Sequence, residues 1–216
     1  MKKILYAAVL TAGVLNAEQE EIKLSGLYLG AGVNVNHDVG KVNIDELEVN
    51  GVTIPPAQWP KELSSANFRG SSVNYGGHFL VGGNYQFNNR LFVGFEQQAG
   101  LAYHPAETRM IKPWEFTTLA KFGYAFESFP GVIYVSGGIK FLGIRELNKN
   151  LVRPVFGIGY QHGISQHWSI KGDVLYTHIN SFKHTTKTVV TRIPISVKRK
   201  CKGHRLSGAI TFVYTF

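Results

Sequence analysis

The chain has 216 residues, 17% of them charged and 12% aromatic, with 24 glycines and a net charge of +9. That length suits one good-sized domain, and a mean hydropathy of -0.05 excludes a bundle of membrane-crossing helices. The glycine and aromatic content favours an all-β chain, and the single cysteine, Cys201, excludes an internal disulfide.

The chain opens with Lys2 and Lys3, an apolar run from Ile4 to Leu15, and a small residue, Ala17. This is the pattern of a secretory signal peptide, assigned to residues 1–17. The run is too short to cross a ~30 Å hydrocarbon layer as a helix. No Cys follows it, so no lipid anchor is indicated.

From residue 18 onward the recurring pattern is alternation with period two, which separates the two faces of a strand. In "GLYLGAGVNVN", Leu27, Leu29, Ala31, Val33 and Val35 share one face, with Tyr28, Gly30, Gly32, Asn34 and Asn36 on the other. The second segment sets Val73, Tyr75, Phe79, Val81, Tyr85 and Phe87 against Asn74, His78, Gly82, Asn84 and Gln86. The third sets Leu91, Val93, Phe95 and Leu101 against Glu96, Gln98 and Gly100. In the fourth, Phe116, Ala120, Phe122 and Tyr124 oppose Thr117, Lys121 and Gly123. The fifth opposes Ile133, Val135, Ile139 and Phe141 to Tyr134, Ser136, Gly138 and Lys140. The sixth opposes Val152, Phe156, Ile158 and Tyr160 to Arg153, Gly157, Gly159 and Gln161. The seventh opposes Trp168, Ile170, Val174 and Tyr176 to Ser169, Lys171, Asp173 and Thr177, and the eighth runs from about His204 to the end.

Connections alternate in length. Short ones fall near 88–90, 127–131 and 163–167; long ones fall near 37–72, 103–115, 143–151 and 180–203. Short turns at one end and long loops at the other mark an up-and-down barrel. One face is large and apolar. The other is Gly, Ser, Thr, Asn and Gln with isolated charges, too weakly charged to meet bulk water but suited to a cramped barrel interior. Aromatic residues gather near strand ends, as interfacial girdles do. The expected fold is all-β: an eight-stranded antiparallel up-and-down transmembrane β-barrel over residues 18–216.

The leader, the eight segments and the ending "ITFVYTF" resemble the small bacterial outer-membrane β-barrels: the OmpA-like transmembrane domain, OmpX/Ail-like and opacity-type proteins. The stretch "RPVFGIGYQHGISQHWSIKGDVLYTH" carries most of the likeness. The resemblance implies a place in the bacterial outer membrane. It also makes Phe212, Tyr214 and Phe216 the signal read by the barrel assembly machinery. No peptidoglycan-binding domain follows, so the full OmpA architecture is not expected.

The alternation puts Glu96, Lys121, Lys140, Arg153, Lys171, Asp173 and Arg205 inside the barrel, two acids against five bases. Unpaired charge there is costly, so a charged plug like that of the OmpA-like domain is expected. Two readings stand: a structural ion-pair core, or a small pore whose surplus positive charge favours anions. The last long connection carries Lys183, Lys187, Arg192, Lys198, Arg199, Lys200 and Lys202, and no Asp or Glu follows Asp173. Its middle, "TVVTRIPISV", is β-prone, so the last two strands are expected to extend as a hairpin beyond the membrane. Such a basic patch attracts polyanions, here lipopolysaccharide phosphates or sulfated host glycans; the alternative is a solvated loop that grips neighbouring lipid head groups. The first long connection holds Asp38, Asp45, Glu46, Glu48 and Glu62 against Lys41, Lys61 and Arg69, and reads as a lid over the mouth or as an unstructured loop.

His178 and Ser181 are the nearest approach to a hydrolytic pair, but no acid follows to orient the histidine, so no enzyme is expected. The eight histidines show no metal-ligand spacing, and no cofactor or nucleic acid is expected. Cys201 reads as a loop residue, a free thiol or an intermolecular partner. The expectation is a monomeric structural and surface-interaction (adhesin-like) barrel that binds anionic glycans or lipopolysaccharide, with an anion-preferring porin as the alternative and a lipid A-modifying enzyme behind it.

Overall fold

The computed structural model describes residues 24–59, 68–103, 111–144, 149–190 and 193–216. The leader expected at residues 1–17, and Arg192 of the basic stretch, lie outside the described residues. The strands are β1 (Gly26–Val49), β2 (Val52–Ile54), β3 (Phe68–Gln86), β4 (Leu91–Tyr103), β5 (Ile111–Ala125), β6 (Gly131–Ile144), β7 (Lys149–Gly163), β8 (Trp168–Val190) and β9 (Ile193–Thr215). Eight of them pair antiparallel, neighbour to neighbour, and β9 returns to β1 from Tyr28↔Thr215 upward. The ring is therefore closed, and Phe216 adds its own N–H to the Leu27 carbonyl at 2.9 Å. The ninth strand, β2, is a short hairpin partner of the top of β1.

The two faces of the alternation lie on the two sides of this wall. Leu27, Val33, Phe79, Phe156 and Ile158 point outward and are more than half exposed. Tyr28, Phe92, Leu119, Tyr134, Val155 and Val213 point inward and are buried. Thirty-three large hydrophobic side chains stand exposed among the described residues, more than a water-soluble surface tolerates, whereas hydrocarbon accepts them. The lumen near the short turns is closed by Leu24, Phe92, Ala125, Val132 and Tyr134, with the Phe92 and Tyr134 rings stacked at 6.2 Å.

The short turns follow β3, β5 and β7. Arg90 holds the first one in the left-handed region at φ 67°. It also ties that turn to the next through a bidentate bridge to Glu127.

The strands reach further than the alternation indicated. Residues 37–49, 68–72, 111–115, 143–144, 149–151, 180–190 and 193–203, expected within long connections, are strand. Above the hydrocarbon both faces meet water, so the apolar period fades while backbone pairing continues. The wall is also uneven. Pairing between β7 and β8 stops at Val155↔Thr177, but β8–β9 continues to Val190↔Ile193 and β1–β9 to Val49↔Ile195. Strands β1, β8 and β9 thus rise above the ring as a blade. The acidic part of β1 lies beside β9 in that blade as a neighbouring strand, not as a lid across the mouth.

Tight coiling of the sheet rests on glycine at close approaches. A Cβ on the inward-facing Gly138 would collide with the Thr118 carbonyl of β5, whereas one on the outward-facing Gly172 would meet nothing within 4 Å. Gly138→Val is expected to cost about 3 kcal/mol in urea unfolding and to lower the yield of the heat-modifiable folded band in detergent gels, while Gly172→Val leaves both unchanged.

Candidate functional site

The inward face carries two tiers of charge. In the lower one Glu96 of β4, with no exposed surface, accepts hydrogen bonds from Lys171 Nζ of β8 at 2.7 and 2.8 Å, from Tyr28 Oη of β1 at 2.7 Å, and from Gln98 Nε2 at 2.7 Å. Lys121 of β5 pairs with the same carboxylate and donates to Tyr28 Oη at 3.0 Å. Its ammonium also stands 5.2 and 5.0 Å from the Tyr28 and Tyr134 ring centres. Asp173 completes the tier, bridging to Lys171 at 3.0 Å and accepting from Tyr134 Oη at 2.6 Å.

The upper tier is built on Arg205 of β9. Its guanidinium forks onto Asp38 of β1, at 2.6 Å to Oδ1 and 2.9 Å to Oδ2, and reaches Glu115 of β5 at 2.6 Å. Lys140 of β6 donates to the other Glu115 oxygen at 3.0 Å, and Asn74 of β3 donates to Asp38 at 2.7 Å. His78 and Thr211, 2.8 Å apart, form a further buried polar pair in the lumen. The fork geometry is what arginine supplies and lysine cannot.

Six of the seven residues assigned to the lumen thus sit in these tiers; the seventh, Arg153, keeps the inward parity of its strand but joins neither tier. Arg153 lies across from Lys140 on β7 and donates to its own neighbour, the Val152 carbonyl, at 3.1 Å. Two residues not assigned there, Asp38 and Glu115, supply half of the acid. The network therefore sets four carboxylates against four cations, not two against five, and the surplus positive charge expected of the lumen is absent from it. Asp38 stands two residues beyond Asn36 and Glu115 two before Thr117, both on the inward parity, so the alternation carried one turn further would have found them.

The second basic set lies on the outside of the blade. Lys41 of β1 is opposite Lys202 of β9, Asn43 opposite Lys200, and Val39 opposite His204, which in turn pairs with His178 of β8. Lys41, Lys200, Lys202, His178 and His204 are all exposed. Below them on the same face the belt ends in Val35, Leu206 and Tyr176, and Tyr176 stacks on His204 at 5.9 Å. His178 thus stands on the outer wall and not in a cavity. Lys198 is already partnered: it bridges to Glu46 of β1 at 2.8 Å, and this hydrogen bond holds the Glu46 carboxyl below the usual carboxylate range. Arg199 is half-buried. Lys183 and Lys187 lie on β8 opposite Lys200 and Ser196. Phe212 and Phe216 project outward beside Trp168, and the Tyr214 ring makes edge contacts with both Trp168 and Phe216.

Removing one member of a buried ionic cluster leaves its partners charged and unpaired, at about 3–5 kcal/mol. Glu96→Gln, which leaves Lys121 without a counter-ion and Lys171 with Asp173 alone, is expected to lose that much stability in urea unfolding from lipid vesicles, and Arg153→Gln less than about 0.5 kcal/mol. Because the folded Glu46 carboxyl is depressed, its bridge supports the blade above the ordinary carboxylate pKa and is lost as pH falls through the lower folded value. Acidification through that range is expected to speed amide exchange in residues 43–49 and 195–200, an effect absent from Glu46→Gln.

No protein-family model and no curated sequence matches the chain. Similar solved structures include Neisserial surface protein A, NspA, at 14% identity and a TM-score of 0.40, covering 89% of this chain and 98% of that one. OprG, an outer membrane protein of Pseudomonas aeruginosa, shares 9% identity at a TM-score of 0.46 over 89% of this chain and 96% of its own. Ail, the attachment invasion locus protein of Yersinia pestis, shares 11% at 0.30 over 84% and 99%, and is also known in complex with the heparin analogue sucrose octasulfate. On its own strand pairing, the chain is a closed eight-stranded antiparallel β-barrel with an apolar outer wall.

Proposed function

We propose that this outer-membrane barrel works at its tall end, holding phosphate-bearing lipid of the outer leaflet, such as lipopolysaccharide, against its outer wall. The observation that carries the reading is the height and direction of one basic row. A tilted strand climbs about 2.5 Å per residue, so Lys202, twelve residues above Tyr214, stands about 30 Å above the lower girdle. That is just past a hydrocarbon band ~25 Å tall, the level of lipid phosphates. Lys41, Lys200 and Lys202 face outward there, with His178 and His204 below them at the upper margin of the belt. Lysine near an anionic membrane surface contributes about 1 kcal/mol each, weakened by salt.

Lys198, paired with Glu46, is a weaker contributor than its neighbours on this reading. Soluble sulfated glycans offer the same charge but no acyl chains to lie on the belt beneath the row. The balanced ionic network among the described residues favours a structural role over an anion-selective pore, with its tiers acting as the ring's internal brace.

The folded chain in phosphatidylcholine vesicles is expected to bind lipopolysaccharide in a salt-sensitive way, and the triple variant Lys41→Gln, Lys200→Gln, Lys202→Gln to bind at least tenfold more weakly. Equal binding by the variant overturns the reading, as does heparin binding that exceeds lipopolysaccharide binding. Planar bilayers are expected to carry no steady anion-selective current; such a current would favour the pore.

A further inference from the structure

The outward face between the aromatic girdles is apolar with one exception. Among the described residues, Gln97 of β4 and Thr118 of β5 are its polar side chains, apart from the Tyr and Trp residues at the margins. They face each other across the β4–β5 pairing, and Thr118 Oγ1 donates to Gln97 Oε1 at 3.0 Å. That bond uses the Gln97 carbonyl and leaves its amide N–H groups directed into hydrocarbon, which has no acceptor to offer. The pair stands near the middle of the belt: Gln97 is six residues above Leu91, where β4 begins, and Thr118 seven above Ala125, where β5 ends.

The two flanks of this pair differ in shape. On the β3 side Phe79, 73% exposed, is the most prominent outward phenylalanine among the described residues. On the other side the small outward residues Ala120 and Gly137 leave a shallow, open apolar recess beside Phe122, Val135 and Phe156. Knob and recess share the level of the polar pair, since Phe79 lies seven residues above Gln86 and Gly137 six above Gly131.

We infer that the β3–β6 face is a two-fold interface with a second copy of this chain in the membrane. A two-fold axis along the membrane normal, passing between Gln97 and Thr118, sets each copy's Phe79 opposite the other's recess. It also brings the two Gln97 carboxamides together, so that each N–H finds the other's oxygen. A self-complementary patch is what an isologous contact requires, and small residues at its floor let two walls approach closely. A lipid chain could fill the recess but leaves the amide without an acceptor; a second copy answers both features. The inference departs from the single-copy barrel expected from the sequence, and rests on the belt's place in the membrane, not on the proposed headgroup site.

The test uses the folded full chain in dioleoylphosphatidylcholine vesicles. In a Cys201→Ser background, Gln97→Cys is expected to form a disulfide-linked dimer on oxidation, and Val33→Cys, on the β1 wall, to form at most a tenth as much. By energy transfer between labelled copies, Gln97→Leu is expected to need at least a tenfold higher protein-to-lipid ratio to associate. Leucine suits a lipid-facing site at least as well as glutamine, so misfolding does not account for that loss. Equal cross-linking at the two positions, or undiminished association of Gln97→Leu, overturns the inference, and a recess occupied by lipid alone gives that second result.

Discussion

No backbone N–H or C=O in hydrocarbon can be left without a partner, and this constraint shapes the molecule. A sheet that crosses the bilayer must close, and here β9 pairs with β1 along the whole height of the wall. Eight strands close around a narrow lumen. Glycine therefore stands where walls or inward side chains crowd, as at Gly138, and every ion inside must find a counter-ion. The greasy exterior and the ionic interior are two consequences of one closure.

The interior charges also connect strands that the hairpins leave apart. Glu96 gathers groups from β1, β5 and β8, and Arg205 with Glu115 joins β9, β1, β5 and β6. A one-residue slip of any of these strands would turn a charge toward lipid and large apolar side chains toward the lumen. The tiers thus act on register as well as stability, at the cost of desolvating eight ions.

Much of the wall was legible in the sequence because hydrocarbon enforces a strict period of two. Leu27 to Val35, Phe116 to Tyr124 and Trp168 to Tyr176 face as their alternation indicated. The signal faded at the upper ends of the strands. There both faces meet water and no apolar rhythm remains, so 37–49 read as loop although the backbone stays paired, whereas β-propensity alone marked the hairpin that β8 and β9 form up to Val190↔Ile193. Asp38 and Glu115 sat beyond that horizon, which is why the interior looked too positive. Parity gives Arg153 its face but not a partner, since its cross-strand neighbour is another cation, Lys140. The Gln97–Thr118 contact was beyond reach, since it depends on the pairing register of two strands.

The most direct test of the central claim is quenching by brominated phospholipids in vesicles, with a single tryptophan placed in a background where Trp59, Trp114 and Trp168 are phenylalanine. At Phe122, on the outer wall, bromines at mid-chain should quench it strongly; at Tyr134, in the lumen, they should not. Equal quenching at both sites, or quenching at neither, would contradict a closed ring with its apolar side in lipid.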